Sequence, residues 1–218
     1  MNYSVKNDVK IEADRTLIIG CGALASEIIA LKKLNGWSHI DLKCLDAALH
    51  NHPDLIAPSV DLEIKKYKKM YQKIFIAYAD CGTAGALDEV LYSHKIERLS
   101  GAHCYETFSG EKNFENIMNE EVGTFFLTDF LVIHFDRLVY RGLGLDISEE
   151  IKKQIFGNYT RLIYLSQKND SELLKKAKLA AKKLNLKFEH KNVGLAQLES
   201  QMESCLLYTS PSPRDTLL

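Results

Sequence analysis

The sequence predicts an α/β fold, and three observations support this prediction. Short apolar runs alternate with segments of helical periodicity along the chain. Two of these runs end in the same motif, a Cys-Gly pair followed by small residues and a helical segment. The 218 residues are enough to bury a core of this kind. We therefore expect a Rossmann-like, mainly parallel sheet with helices on both faces.

In the first half of the chain, predicted strands and helices alternate. Apolar runs bounded by turn residues predict strands at 16–20, 39–45 and 73–80, and a shorter one at 96–99. Helical spacing predicts helices at 23–34, 60–72 and 84–92. Residues 46–58 are expected to form a loop or a short helix between the second strand and its helix.

The second half continues the pattern with more helix. The spacing predicts helices at 111–119, 124–138, 148–156 and 171–184, of which 124–138 is largely apolar and should be buried. Ser148 is a typical N-cap residue for the third of these helices. Strands are predicted at 161–166 and from 186 onward.

Composition excludes two broad classes of protein. The chain has 28 basic and 29 acidic side chains, and a net charge of -1 excludes a strongly basic nucleic-acid-binding protein. The most apolar stretch, 124–140, is interrupted by charged residues, so it falls short of the roughly 20 apolar residues of a membrane helix. Residues 1–15 are polar and resemble neither a signal nor a transit peptide. We expect a soluble, cytoplasmic protein with reduced thiols.

The end of the sequence differs in composition from the rest. Two of the four prolines lie within residues 205–218, and the string from Cys205 to Asp215 resembles a sequencing-adapter sequence read in frame. We expect 205–218 to be a non-native, adapter-derived tail, the alternative being a disordered native tail. Residues 1–204 are then expected to form a single α/β domain, or else two lobes at about 15–140 and 141–204.

Three cysteines occupy equivalent positions at predicted strand ends. Cys21 and Cys81 each precede a glycine, and Cys104 follows a Gly-Ala-His segment. The carboxyl ends of parallel strands lie along one edge of a sheet, where ligands bind, so these thiols should converge. A cysteine beside a helix N-terminus is biased toward the thiolate. The alternative is that each is a small buried apolar residue, which is our expectation for Cys44 inside a strand.

Histidines at the same edge complete a candidate metal centre. His50 lies in the loop after the second strand, and His103 precedes Cys104. Thiolate and imidazole groups are ligands for zinc or another transition metal. The chain has no paired C-x-x-C motif, so this site depends on tertiary convergence. The candidate cofactor-binding residues lie at the two Cys-Gly turns, where backbone N–H groups can approach a bound group: Gly22, Gly82 and Thr83.

The first turn also supports a competing interpretation. The segment Gly20-Cys21-Gly22-Ala23-Leu24-Ala25 matches the G-x-G-x-x-G/A pattern between a strand and a helix, and Asp41 or Asp46 follows about 20 residues later. This pattern would bind a dinucleotide, with the pyrophosphate at the helix N-terminus. It leaves the second Cys-Gly turn and the His-Cys segment unexplained.

Several blocks of the sequence resemble one uncharacterised family, the domain of unknown function 1638. The resemblance covers essentially residues 15–200, and its blocks are 21–25, 49–56, 78–88, 101–106, 123–130, 135–139 and 142–146. It implies no established activity. Members of the family are often encoded beside corrinoid proteins and methyltransferases for methylamines, betaines or similar one-carbon donors, which is an association and not a mechanism.

Together these lines of reasoning give a leading functional hypothesis and two alternatives. In the leading hypothesis a zinc–thiolate site binds and deprotonates a thiol acceptor for corrinoid-dependent methyl transfer, with a corrinoid protein or methyltransferase as partner. The candidate catalytic residues, which would orient a histidine or take a proton, are Glu106, Asp80 and Asp88. One alternative is a non-catalytic corrinoid or cofactor accessory protein. The other is a metal-free thiol enzyme with Cys81 or Cys104 as nucleophile and His103 or His50 as base.

Overall fold

The computed structural model describes residues 12–208, with side chains over 15–206. Every named strand in this range belongs to one of two parallel, three-stranded sheets, and helices pack against both, so the predicted α/β class is confirmed. Among the helices of the described range, none combines the length and hydropathy needed to cross a bilayer. The predicted tail falls mostly on residues 209–218, outside the described residues, and 205–208 continue the last helix.

The first sheet has the strand order β2–β1–β3. Its strands are β1 (Glu12–Cys21), β2 (Ile40–Leu45) and β3 (Tyr71–Ala77). Leu17, Ile18 and Ile19 of the central strand are all buried, which is typical of a parallel strand covered on both faces. The segment predicted as a strand at 96–99 forms a single parallel bridge, between Ile76 and Arg98, at the outer side of β3.

Helices cover both faces of this sheet because successive side chains of β1 point in opposite directions. Leu17 and Ile19 pack with α2 (Ile56–Tyr67) and α3 (Ala86–His94). Ile18 packs on the other face, with α1 (Ala25–Leu34). A 3-10 turn, Gly22–Leu24, joins β1 to α1, and two more, Ala47–Asn51 and Pro53–Leu55, join β2 to α2.

The second sheet has the strand order β4–β5–β6. Its strands are β4 (Thr124–Thr128), β5 (Arg161–Ser166) and β6 (Lys187–Asn192). The helices of this half are α4 (Cys104–Ser109), α5 (Glu111–Glu120), α6 (Asp129–Ile133), α7 (Glu149–Phe156) and α8 (Ser171–Leu184). Leu162 and Tyr164 of β5 face one core, while Ile163 and Leu165 face the other.

The prediction of a single helix at 124–138 is wrong. Residues 124–128 form β4, and the chain then continues as α6 and a π-helical segment, Phe135–Tyr140. The β4 strand is covered on both faces, so its side chains show no alternation of apolar and polar residues to separate it from a buried helix. The Thr128 hydroxyl accepts the Leu131 N–H at 3.4 Å and thereby starts α6.

A helix absent from the sequence prediction, α9 (Ala196–Tyr208), returns to the first sheet. Leu198 and Met202 are fully buried against the face of β1 that also packs on α1. The Lys73 ammonium group donates to the carbonyls of Cys205 and Leu206 near the end of the helix, at 2.9 and 2.7 Å. The chain therefore crosses between the sheets twice, which ties the two halves together.

A buried carboxylate fixes the carboxyl ends of β4 and β5. Asp129, 3% exposed, accepts hydrogen bonds from Tyr164 Oη at 2.7 Å and from the backbone N–H groups of Gln167 and Lys168 at 3.1 and 3.0 Å. Its own backbone N–H donates to Gln167 Oε1 at 2.8 Å. The Tyr164 hydroxyl and the N–H groups of Gln167 and Lys168 would lose their acceptor if the Asp129 carboxylate were removed.

We predict that Asp129→Ala lowers the free energy of unfolding by about 2–4 kcal/mol, because several buried donors lose their acceptor at once. Equilibrium urea unfolding measures this change. Asp136→Ala is the matched control, since Asp136 is 70% exposed and pairs with Lys183 at the surface; its cost should stay within about 1 kcal/mol. Equal losses in the two variants would contradict this account of the β4–β5 junction.

Candidate functional site

Three cysteines and one histidine converge on an enclosed cavity at the carboxyl ends of β1 and β3. Cys21, Cys81, Cys104 and His50 line it together with mainly apolar side chains, and its volume is about 20 Å³. This is room for about one water-sized group. Cys44, predicted to lie in the core, is half-buried in β2 and does not line the cavity.

The turn after β3 places Cys81 in an unusual backbone conformation. Its φ angle is 51°, in the left-handed region that residues other than glycine rarely adopt. The preceding carboxylate, Asp80, accepts the Thr83 hydroxyl at 2.7 Å and the Gly85 N–H at 3.0 Å. The Cys81 N–H donates to the Ala102 carbonyl at 2.8 Å. These contacts hold the turn in place and bring Cys81 against the segment that begins with Cys104.

The residues predicted to bind a cofactor shape the backbone, and none of them lines the cavity. A Cβ atom on Gly22 would lie 2.8 Å from the Leu45 carbonyl oxygen, so only glycine lets the first turn approach the end of β2 this closely. Gly82 has a φ of +83°, and Thr83 is buried and bonded to Asp80.

The three thiols differ in acidity because burial opposes the effect of nearby hydrogen-bond donors. Burial raises the pKa of Cys21 to about 11, although the Ala23 N–H donates to its sulfur at 3.4 Å. The Cys104 thiol donates to Cys81, which lowers the pKa of Cys81 and, together with burial, raises the pKa of Cys104. Burial therefore works against a thiolate at Cys21 and Cys104, and at Cys81 the thiolate is favoured by the contact with Cys104.

Of the two histidines considered at this edge, His50 lines the cavity. Its Nε2 atom is 3.4 Å from Tyr105 Oη. Burial, and then the nearby His103, lower the pKa of His50, which keeps the imidazole neutral and able to act as a ligand. His103 is exposed at the N-cap position of α4, with its ring centroid 6.3 Å from that of Tyr105.

The candidate catalytic carboxylates lie in the turn after β3 and in the first turns of α3 and α4. Glu106 accepts the Ala102 N–H at 2.8 Å and packs against Gly101, whose φ is +100°. Asp80 organises the turn that carries Cys81, and Asp88 pairs with Arg98 at 2.6 Å. None of the three is among the described residues that line the cavity. Their hydrogen bonds and ion pair stabilise the segments that surround the cavity.

Sequence reasoning missed two tyrosines at this site. Tyr78 lines the cavity and is 2% exposed, and its hydroxyl lies beside the Cys21 thiol. Burial, then the Cys21 thiol, raise the pKa of Tyr78. Tyr105 stacks on Phe126 of β4, with ring centroids 5.1 Å apart. The available signal was a tyrosine in a fully apolar strand end, where its hydroxyl needs a partner.

The donor groups fit a zinc ion in their chemistry. Three sulfurs and a neutral imidazole match the ligands that zinc prefers. Over the described range, no group of three or more Cys, His, Asp or Glu side chains already stands close enough to hold a metal ion, so a bound ion has to draw these donors together.

The volume of this cavity is relevant to the predicted dinucleotide site at the first turn. The first helical N–H group after β1, that of Ala23, is directed at the Cys21 sulfur. The space beyond it, about 20 Å³, is too small for a pyrophosphate group.

Comparison with known proteins identifies the family. The model of the family described as Protein of unknown function (DUF1638) matches residues 44–202, which include His50, Cys81 and Cys104 but not Cys21. No curated protein and no solved structure matches the chain. Since the match spans well over half of the sequence and confirms the resemblance of the sequence blocks, the chain belongs to the DUF1638 family.

Proposed function

We propose that Cys21, Cys81, Cys104 and His50 hold one zinc ion, or another transition metal ion of similar preference. The observation that carries the proposal is the convergence of these four donor groups on one enclosed cavity. They come from four separate parts of the chain, so their meeting does not follow from local sequence. Three half-buried thiols that merely filled space would need no histidine beside them.

The energetics of the thiols are compatible with such a site. The rise in the pKa of Cys21 from its ordinary 9.0 to about 11 corresponds to about 3 kcal/mol for forming the thiolate. Structural zinc sites gain about 10–16 kcal/mol on binding, which exceeds the cost at Cys21; burial also raises the pKa of Cys104, which adds to the cost of ionising the site. Each thiol would release its proton to solvent as the ion binds. His50 is already neutral, and Tyr105 beside its Nε2 atom helps to fix the orientation of the ring.

We further propose that the site serves methyl transfer from a corrinoid to a thiol. For this reaction the ion would be held by three of the four donor groups, and the acceptor thiol would take the fourth position, where zinc would lower its pKa and hold its sulfur as a thiolate. The new S–CH3 bond forms as the Co–CH3 bond breaks, the electron pair stays on cobalt, and the thiol proton leaves to solvent. Support comes from the frequent encoding of family members beside corrinoid proteins and methyltransferases. The proposed partner is such a protein, in the reducing cytoplasm, where the thiols stay reduced.

A second candidate function is favoured by a separate observation, the hydrogen bond from Cys104 to Cys81. It lowers the pKa of Cys81 without any metal, as a nucleophilic thiol requires. His50 lines the same cavity and would be the base. A non-catalytic corrinoid accessory protein is the third candidate, and it would bind corrinoid without turnover.

We predict a near-stoichiometric amount of metal in protein purified anaerobically without residues 205–218. Elemental analysis should find most of it lost in the Cys21→Ser/Cys81→Ser variant, because two of the four ligands are gone. Cys44→Ser is the matched control and should keep its metal, since Cys44 lies outside the cavity. Absence of metal from the parent protein, or equal metal in the parent and the double variant, would refute the metal site and leave metal-free chemistry at Cys81.

For methyl transfer, we predict that the zinc-loaded protein transfers the methyl group of methylcobalamin to ethanethiol. The absorbance change of the corrinoid measures the reaction, and mass spectrometry identifies the methylated thiol. The Cys21→Ser/Cys81→Ser variant should be at least tenfold slower, because the thiol is no longer held as a thiolate, while Cys44→Ser should keep the parent rate. Saturable corrinoid binding without any turnover would instead favour the accessory function.

A further inference from the structure

The chain segments that carry Cys81 and Cys104 are bonded to each other along their backbones. The Cys81 N–H donates to the Ala102 carbonyl at 2.8 Å. The preceding N–H, that of Asp80, donates to the Gly101 carbonyl at 3.1 Å. Cys104 then begins α4, and its thiol donates a hydrogen bond to the Cys81 sulfur. The two sulfur atoms are therefore in contact, on segments whose relative position is fixed by the backbone.

The third thiol of the cavity is engaged differently. The Cys21 sulfur accepts the Ala23 N–H at 3.4 Å and lies beside the Tyr78 hydroxyl, which donates to it. Cys104 is therefore better placed than Cys21 to react with Cys81. Both members of the Cys81–Cys104 pair are half-buried, so a small reagent can reach their sulfur atoms from solvent.

We propose that Cys81 and Cys104 form a reversible oxidation site, at which hydrogen peroxide joins the two sulfurs in a disulfide. One sulfur of the pair attacks a peroxide oxygen, the O–O bond breaks, and the other oxygen leaves as water with the thiol proton. The product is a sulfenic acid, S–OH. The second sulfur attacks the first, the S–S bond forms as the S–O bond breaks, and the hydroxyl leaves as water with the second thiol proton. The thiols lose two electrons, and the peroxide gains them.

The disulfide also has a consequence for the metal site. Its formation in the metal-free protein needs only the contact between the two thiols. It removes two of the four donor groups of the proposed site, and a bound ion conversely withholds both sulfurs from the oxidant. Oxidation and metal binding therefore exclude each other, and this exclusion, unlike the disulfide itself, rests on the proposed function.

Peptide mapping tests the inference on the full chain, freed of metal with a chelator. The protein is treated with a small excess of hydrogen peroxide, its remaining thiols are blocked with iodoacetamide, and it is digested with trypsin. Cleavage after lysine and arginine places each of the five cysteines on a separate peptide, so mass spectrometry identifies which are joined. We expect the Cys81 and Cys104 peptides as a linked pair, about 2 Da lighter than their summed free-thiol masses, which dithiothreitol separates.

Variants and zinc distinguish this inference from the proposed function. Cys44→Ser is the matched control and should form the linked pair as the parent does, whereas Cys81→Ser should not. Linkage of Cys81 to Cys21, or unlinked Cys81 and Cys104 peptides after the peroxide treatment, would overturn the inference. Saturating zinc should slow the linkage at least about tenfold, because both sulfurs are then held by the ion. Equal rates with and without zinc would contradict the metal site and leave the disulfide standing.

Discussion

The site depends on the turn that follows β3. There the Asp80 carboxylate accepts hydrogen bonds from Thr83 and Gly85, and the Cys81 N–H is bonded to the carbonyl of Ala102. These bonds hold Cys81 at a positive φ that it would not adopt unaided. In this conformation its sulfur meets the Cys104 thiol, and the pair closes the cavity opposite Cys21. The strained backbone at Cys81 thus places one of the three thiols that line the cavity.

The rest of the molecule keeps that juxtaposition rigid. Tyr105 contacts His50 on one side and stacks on Phe126 of the second sheet on the other, so the position of the imidazole depends on both sheets. The buried hydrogen bonds of Asp129 fix the second sheet, and α9 returns to cover the first. Because the cavity is small and mostly apolar, its thiols are neutral apart from the bias at Cys81, and a cation is the natural means of ionising all three.

Much of the fold could be predicted from the sequence, because β1, β5 and α8 have unambiguous apolar runs and helical spacing. The strand β4 could not be predicted, since a short segment buried on both faces shows no alternation of apolar and polar residues. The convergence of Cys21 and Cys81 follows from the rule that parallel strands end at one edge, whereas Cys104 begins α4 after a segment that makes only a single bridge to β3. Turn geometry and side-chain direction cannot be predicted from the spacing of residues in the sequence. They decide that His50 and not His103 lines the cavity, and they determine where Glu106 and Tyr78 lie.

The central claim is that sulfur and imidazole groups of this cavity form one metal centre. X-ray absorption at the zinc edge, measured on the zinc-loaded protein, tests it most directly because it reports the ligand atoms themselves. The account predicts a first shell dominated by sulfur at about 2.3 Å, with a nitrogen contribution at about 2.0–2.1 Å from one imidazole. A first shell of oxygen and nitrogen without sulfur would contradict the account, since it would place the metal away from the three cysteines.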